Sequence, residues 1–433
     1  QLALEAGVDM DMQAGFYLKS LADVIKNRGK DEELVNQAVR RILKIKFELG
    51  LFDDPYSYCS EQREKEVIMT PSNLEAARDV ARKSIVLLRN QNSLLPLDRN
   101  IKNLAVIGPL ADNKQELLGS WCAAGEGARA VSLLQGIREK VPGATVTYSK
   151  GCEISGDSTD SFAEAVEIAG KADAVILAVG EAAGMSGEAA SRSDLNLPGV
   201  QQQLVEAVCR TGKPVVVVLM NGRPLTINWI DRNVPAILET WFLGTEAGHA
   251  ISDALFGDYN PSGKLTVTFP RSVGQIPLFY NSRNSGRPCE AGNKYTSKYL
   301  DVVNEPLYPF GYGLSYTTFQ YGDLSLSKKE IGSKDTLTVE IAVQNTGKCA
   351  GEEVVQFYIR DVVASVARPV KELKGFSKIS LQPGEAKVVS FQLTTADLSF
   401  YRSDMTYGWE PGEFMVFAGG NSRDVKAGKF ILK

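Results

Sequence analysis

Few residues in this chain could begin a reaction. Glu188 lies in GMSGEAASR, residues 184–192, a carboxylate set among small side chains. A lone glutamate can pass a proton to a leaving group or take one from water, if its pKa is raised and another group does the attacking. Its flanks suggest where it sits. DAVILAVGE (173–181) is an apolar run that reaches a glycine, and LPGVQQQLVEAV (197–208) begins a helix. The stretch is therefore expected in the loop that leaves a strand, where open α/β sheets hold their ligands. The single histidine, His249, would have to serve any Ser–His or Cys–His mechanism, and no nucleophile motif lies near it in sequence. It falls on a predicted helix, so a core or cap role is expected. Cys59, Cys122, Cys152, Cys209, Cys289 and Cys349 are far apart with no CxxC. That spacing argues against a zinc site and against a disulfide framework.

The elements that must hold Glu188 follow from hydrophobic period. From about residue 100, apolar β-branched runs alternate with helical stretches. NLAVIG (103–108), ATVTYS (144–149), DAVILAVG (173–180), PVVVVLMNG (214–222) and AILETWF (236–242) read as strands. SFAEAVEIAGKA (161–172) and GTEAGHAISDALFG (244–257) read as two of the helices between them. This order predicts a mostly parallel sheet with helices on both faces. A dinucleotide site would need GxGxxG after the first strand, and the chain has GPLADN there.

Elsewhere the period changes. DEELVNQAVRRILKIKFELG (31–50) reads as one helix, with Val35, Ala38, Val39, Ile42, Ile45 and Leu49 on one face, Asp31 as its cap and Gly50 as its stop. LADVIKNRGK before it reads as another helix. These segments cannot close a core alone and look like the tail of a domain whose front is absent. SNLEAARDVARKSIVLL, within 72–98, reads as a linking helix followed by a loop. After residue 317, LTVEIAV (337–343) and VVQFYI (354–359) alternate with period two, and turn signals recur at 345–347, 383–384, 411–412 and 419–420. About seven short strands with this spacing predict an antiparallel β-sandwich.

Composition bounds the class. With 433 residues, 44% hydrophobic and 23% charged, the chain is globular and large enough for two or three domains. A net charge of −4 with mixed signs gives no basic stripe, so no nucleic acid is expected as a partner. No apolar run reaches spanning length, so no membrane insertion is expected. QLALEAGVDMDM begins without a leader or an initiating Met and reads as the middle of a longer chain.

Several long motifs carry a resemblance. AGVDMDM (6–12) with AVRRILKIKFELGLFDDPY (38–56), SIVLLRNQNSLLPL (84–97), SGEAASR, LFGDYNPSGKLTVTFP (255–270), YPFGYGLSYTTF (308–319), VQNTGKCAGEEVVQFYIRD (343–361) and ELKGF (372–376) occur in one order. In these the chain resembles glycoside hydrolase family 3, and most closely its periplasmic β-glucosidase branch. The resemblance implies an α/β plus all-β fold. Residues 1–58 would be the C-terminal end of a (β/α)8 barrel and 59–99 a linker and helix. Residues 100–275 would form an α/β sandwich domain carrying the acid/base loop. An extended connector (276–316) and a fibronectin type III-like β-sandwich (317–433) would complete the chain.

What the resemblance implies for function is a retaining, exo-acting β-glycosidase acting on non-reducing terminal β-D-glucosyl residues. Such enzymes pair a nucleophilic carboxylate with an acid/base about 5–5.5 Å away. Glu188 occupies the family's acid/base position, in the form SGEAASR where SGEGxDR is more frequent. The family's nucleophile is an aspartate in an SDW-like motif, and no SDW occurs in these residues. Asp9 and Asp11 follow the nucleophile strand in the family pattern and are expected to be structural. In the isolated chain Glu188 is expected to be exposed. Trp121, in LLGSWCAAGEG, is a candidate sugar-stacking wall or a packing residue. Met185 and Ser186 are candidate pocket residues. Arg192 would anchor the loop or touch a sugar hydroxyl, with anchoring favoured. The connector YPFGYGLSYTTF is expected to pack a seam, and Asp301, Asn304 and Glu305 to be solvated.

No cofactor and no metal is implied, because a carboxylate pair does the chemistry. The expected partners are an oligosaccharide or β-glucoside substrate and an upstream barrel domain, with a homodimer left open. The localisation implied by the branch is bacterial, periplasmic or secreted. Alternatives within the same reading are a non-catalytic carbohydrate-binding or scaffolding fragment or subunit, and a β-xylosidase or arabinofuranosidase of the family.

Overall fold

The computed structural model describes residues 1–28, 32–290 and 292–433. Two compact units are present, Gln1–Asn73 and Leu74–Lys433.

The first unit holds α1 (Leu2–Glu5), α2 (Phe16–Arg28), α3 (Glu32–Glu48) and α4 (Glu61–Val67). Both long helices appear where the period predicts them. Gly50 takes φ +70°, the left-handed turn that ends a helix cheaply at glycine. Asp31, expected as the cap of α3, lies outside the described residues. The apolar face of α3 is not packed: of its residues only Ala38 is buried, while Val39 and Ile45 are exposed. Asp9 pairs with Arg41 on α3. Asp11 accepts the backbone N–H of Tyr17 at 3.0 Å, near the start of α2. Both carboxylates thus have structural partners within this unit.

The second unit begins within α5 (Pro71–Ser84) and continues through β1 (Val86–Asn90). Here the sequence reading needs correction. The apolar run IVLL, read as the end of a linking helix, leaves the helix at Ser84 and becomes a sheet strand. β-Branched and leucine side chains packed on both faces fit a strand as well as a helix, and pairing with β6 decides between them. The remaining elements are β2 (Asn103–Ile107), α6 (Leu133–Lys140), β3 (Thr145–Ser149), α7 (Phe162–Lys171), β4 (Ala174–Gly180), α8 (Gln201–Cys209), β5 (Val215–Met220), α9 (Asn228–Asn233), β6 (Ala236–Glu239) and α10 (Ala247–Leu255).

The sheet order is β1-β6-β5-β4-β2-β3, parallel throughout except for β1, which runs antiparallel to β6. Successive strand residues point to opposite faces. Ile176, Ala178, Val216, Val218 and Met220 join one core with residues of α5, α6 and α10. Val175, Leu177, Val179, Val217 and Leu219 join the other with α7, α8 and α9. Burial on both faces explains why these strands read as unbroken apolar runs.

After the connector come β7 (Phe319–Leu326), β8 (Glu330–Ile331), β9 (Leu337–Asn345), β10 (Gly351–Asp361), β11 (Glu372–Leu381), β12 (Ala386–Leu393), β13 (Phe400–Tyr401), β14 (Tyr407–Gly408), β15 (Gly412–Gly419) and β16 (Val425–Leu432). They form sheets ordered β11-β10-β15-β16-β8 and β12-β9-β7, with β13 and β14 as a separate pair. The sandwich is built as predicted, with more short strands than the seven counted from turn signals. Its core comes from alternate residues such as Leu337, Val339, Ile341 and Val343.

The connector packs as its aromatics suggest. Tyr308 stacks on Tyr312 at 5.1 Å and meets Phe269 edge-on at 6.1 Å. Its hydroxyl donates to Asp231 at 2.6 Å. Asn304, expected to be solvated, is half-buried and donates to the Ser297 carbonyl at 3.0 Å.

Candidate active-site loop

Glu188 sits on the loop between β4 and α8, and its position is set by what happens at the end of β4. Gly180 has φ +150°, and a Cβ there would lie 1.9 Å from the Met220 carbonyl oxygen on β5. Only glycine fits so close an approach. The buried Gln201 side chain then takes over the ladder. It accepts from the Gly180 N–H at 2.8 Å and donates to the Gly180 carbonyl at 2.8 Å. The chain turns out of the sheet at the next residue, Glu181, which is fully buried.

Glu181 anchors the loop. Arg192 Nη1 donates to Glu181 Oε1 at 2.6 Å, and Arg223 Nε lies 2.9 Å from the same oxygen. Arg192 also donates to the Asn196 carbonyl at 3.1 Å. Arg223, just beyond β5, donates to the carbonyls of Met185 and Ala190, the latter at 2.7 Å. One guanidinium thus grips the loop on both sides of Glu188. A carboxylate held between two guanidinium groups has partners for its charge in a place where water cannot supply them. Of the two roles expected for Arg192, the anchoring one is what the structure displays.

Between the gripped carbonyls the chain is displayed outward. Glu188 is exposed, as expected from the sequence. Ala189 adopts φ +57°, a left-handed conformation that favours glycine and costs other residues about 1–2 kcal/mol. The more frequent family form carries glycine at this point. Gly187 takes φ +113°, and a Cβ there would meet Ser120 Oγ at 2.5 Å and Trp121 Nε1 at 3.4 Å. The indole of Trp121 therefore lies beside the backbone that carries Glu188. It is 74% exposed, so the packing alternative for this tryptophan is not what the fold uses. Met185 and Ser186 are half-buried under the loop. A Cβ on Gly222 would fall 2.3 Å from Ser186 Oγ, so Ser186 rests on the turn after β5.

A second buried carboxyl lies at the end of the neighbouring strand. Glu239, the last residue of β6, is completely buried, and burial pushes its pKa up to about 8. The Trp241 N–H donates to it at 2.9 Å and the Asn221 amide at 3.1 Å, which offsets part of that rise, and the charge of Glu181 adds to it. Burial thus favours the neutral form of Glu239. Sequence reasoning missed Glu181, Arg223 and Glu239. The available signal was position: each is a charged residue at or just past the end of a wholly apolar strand, where a fold seldom buries charge without use for it.

His249 lies on α10 away from the loop. Its Nδ1 is 2.6 Å from Glu246 and its Nε2 is 2.7 Å from Glu139 on α6. It is a half-buried link between two helices. No group of three or more His, Cys, Asp or Glu side chains placed to hold a metal ion occurs among the described residues. No helix among them is long and apolar enough to cross a membrane.

Comparison with known proteins agrees with this architecture. Residues 85–316 match the glycosyl hydrolase family 3 C-terminal domain, more than half of the chain. The chain belongs to glycosyl hydrolase family 3. Residues 353–422 match the fibronectin type III-like domain. A periplasmic beta-glucosidase of Salmonella typhimurium is 46% identical over 100% of this family 3 chain and 60% of its own length. A beta-xylosidase of Formosa agariphila is 44% identical over 100% of the chain and 61% of its own length. The crystal structure of a beta-glucosidase from Listeria innocua in complex with glucose superimposes with a TM-score of 0.91 at 41% identity, covering 100% of this chain and 59% of that one. The chain therefore spans about 60% of the length of the relatives it matches. These relatives are glycoside hydrolases of the β-glycosidase type.

Proposed function

We propose that this chain supplies the general acid/base to a retaining, exo-acting β-glycosidase, with Glu188 as the proton carrier. The observation that carries the reading is the display of Glu188: an exposed carboxylate at the C-terminal edge of a parallel sheet, beside an exposed tryptophan, on a loop gripped on both flanks. Glu188 would protonate the leaving oxygen and then deprotonate the attacking water. Trp121 would present its face to the C–H side of a pyranose, with Met185 and Ser186 beneath. Arg192 serves this arrangement by holding Glu181 and the loop. The nucleophile would be an aspartate outside these residues, in a barrel to which residues 1–58 contribute the end. On this reading the residues from 59 to the end of α5 link that barrel to the α/β domain, whose sheet begins with β1 and which runs to about 275, and 276–316 lead to the sandwich (317–433). The substrate would be a β-glucoside or oligosaccharide with a terminal β-linked glucose. The name of the Salmonella relative supports a periplasmic location.

The experiment is hydrolysis of an aryl β-glucoside by residues 1–433, alone and mixed with a polypeptide carrying the family's barrel. Negligible turnover alone and turnover on mixing, abolished by Glu188→Gln, is the expected result. Turnover by the chain alone would overturn the division of the site. Persistent inactivity of the mixture would favour a non-catalytic carbohydrate-binding role. A second sugar class has its own support, because the Formosa relative is named a beta-xylosidase. Running the aryl β-xyloside and α-L-arabinofuranoside in parallel decides between them.

A further inference from the structure

The outward face of the five-stranded sheet in the sandwich departs from expectation. An antiparallel sheet with one face on a core usually turns polar side chains out on the other. On β10 and β15, Phe357, Ile359, Phe414 and Val416 belong to the core. Tyr358, Arg360, Met415 and Phe417 alternate with them and share the opposite face, with Tyr358 paired to Phe417 and Arg360 to Met415 in register. This outer face is largely apolar. The connector covers part of it: Tyr280 meets Tyr358 edge-on at 5.8 Å and stacks on Phe310 at 4.2 Å. The uncovered part is a cleft of about 440 Å³ between connector and sheet. That volume is within the range of small-molecule sites.

Charge in the cleft is unbalanced. Arg360 lines it without a side-chain hydrogen bond or ion pair among the described residues. Lys371 donates to the Ser422 carbonyl and lies 5.0 Å from the ring centroid of Phe417, again without a carboxylate at ion-pair distance. Burial pushes the Lys371 ammonium below its usual range, with the charge of Asp424 opposing that shift. The third cation, Arg423, is taken up by Asp424 at 3.2 Å. Glu305 lines the rim, exposed and paired with neither. Arg360, partly buried without a counter-charge, and Lys371, with Asp424 beyond ion-pair distance, cost desolvation that an arriving anion would recover.

We propose that this cleft binds a small organic acid whose carboxylate is carried on a flat, apolar-faced ring. The carboxylate meets Arg360 and Lys371, and the ring lies on the aromatic lining. An aromatic acid and a uronic acid share this chemistry, since a pyranose also presents an apolar C–H face. The proposal is independent of Glu188, because no lining residue belongs to the β4–α8 loop or to Trp121.

Calorimetric titration of residues 1–433 with 4-hydroxycinnamate, its methyl ester, glucuronate and glucose tests it. One acid is expected to bind saturably, with its neutral counterpart weaker by about tenfold or more. Arg360→Met keeps the apolar stem and is expected to lower affinity by a similar factor, while Arg360→Lys retains most of it. Binding of only the cinnamate identifies an aromatic ligand, and binding of only the glucuronate an acidic sugar. Saturation by neither acid up to about 10 mM, equal binding of the neutral counterparts, or full binding by an Arg360→Met chain with an unchanged unfolding transition would each overturn the proposal.

Discussion

Helices α3 and α10 carry the same kind of sequence signal and end in opposite environments. Both show apolar residues at helical spacing. On α10, eight of nine residues are buried, from Ala247 to Leu255. On α3, of 17 residues, only Ala38 is buried, and Ile45 and Phe47 are exposed. The difference lies in what each helix has to pack on. α10 is laid against a finished sheet and against α6, so its stripe has a partner surface. An amphipathic stripe states that a helix would gain from cover, and the cover is a property of the rest of the molecule.

The comparison can be tested by deletion of equal side chains. Ile251→Ala, at 1% exposure, is expected to cost about 2–5 kcal/mol, whereas Ile45→Ala, at 59%, is expected to change stability by less than about 0.5 kcal/mol. Denaturant unfolding of the two variants provides the measurement. Equal losses would mean that the face of α3 is covered in solution.

Charge offers a second contrast of comparable size. Arg223→Ala is expected to cost about 3 kcal/mol, because it removes a partner of the buried Glu181. Its signature is faster hydrogen exchange in residues 183–192, which lose their grip at Met185 and Ala190. In the first unit the corresponding test is Arg41→Ala, which removes an exposed ion pair with Asp9 and is expected to leave the unfolding midpoint unchanged.

The link made by His249 sharpens the account of α10 through pH. Burial works against its charged form, but hydrogen bonds to Glu246 and Glu139 outweigh it and the net pKa is raised. The folded state therefore holds the proton more tightly than the unfolded chain. The resulting stability is fully present below the unfolded value of about 6.5 and is lost as pH rises through the higher folded value. Unfolding free energy measured across that window should fall by a smaller amount in His249→Gln than in the parent. An identical slope would remove the imidazolium from the account. A modest gain is expected in the loop itself. Ala189→Gly relieves the φ of +57° and should stabilise by up to about 1 kcal/mol, after the entropy cost of glycine.

Legibility followed the range of the interactions. The strands from β2 to β6 were readable because burial on both faces leaves an unbroken apolar run bounded by turn residues. β1 was misread because its five residues, VLLRN, directly continue a helical pattern, and only pairing with β6 makes them a strand. Glu188 was readable through a family motif and through its place after a strand. The clamp beneath it was not, because Glu181, Arg192 and Arg223 are brought together by strand ends adjacent in the sheet, and β4 and β5 are more than thirty residues apart. Asn304 was misread for a local reason: the loop folds back so that its amide is tied to the Ser297 carbonyl seven residues earlier, and no repeating period marks that turn.

Local period and turn chemistry were enough to place strands β2 to β6, the alternation that builds the sandwich, and the loop that carries Glu188. Long-range packing decided that Glu239 would be buried with a raised pKa, that Arg223 would grip both sides of the loop, and that the outer face of β10 and β15 would be half covered. Those outcomes depend on desolvation and on contacts between segments far apart in the chain. Neither quantity is a property of any short stretch of residues.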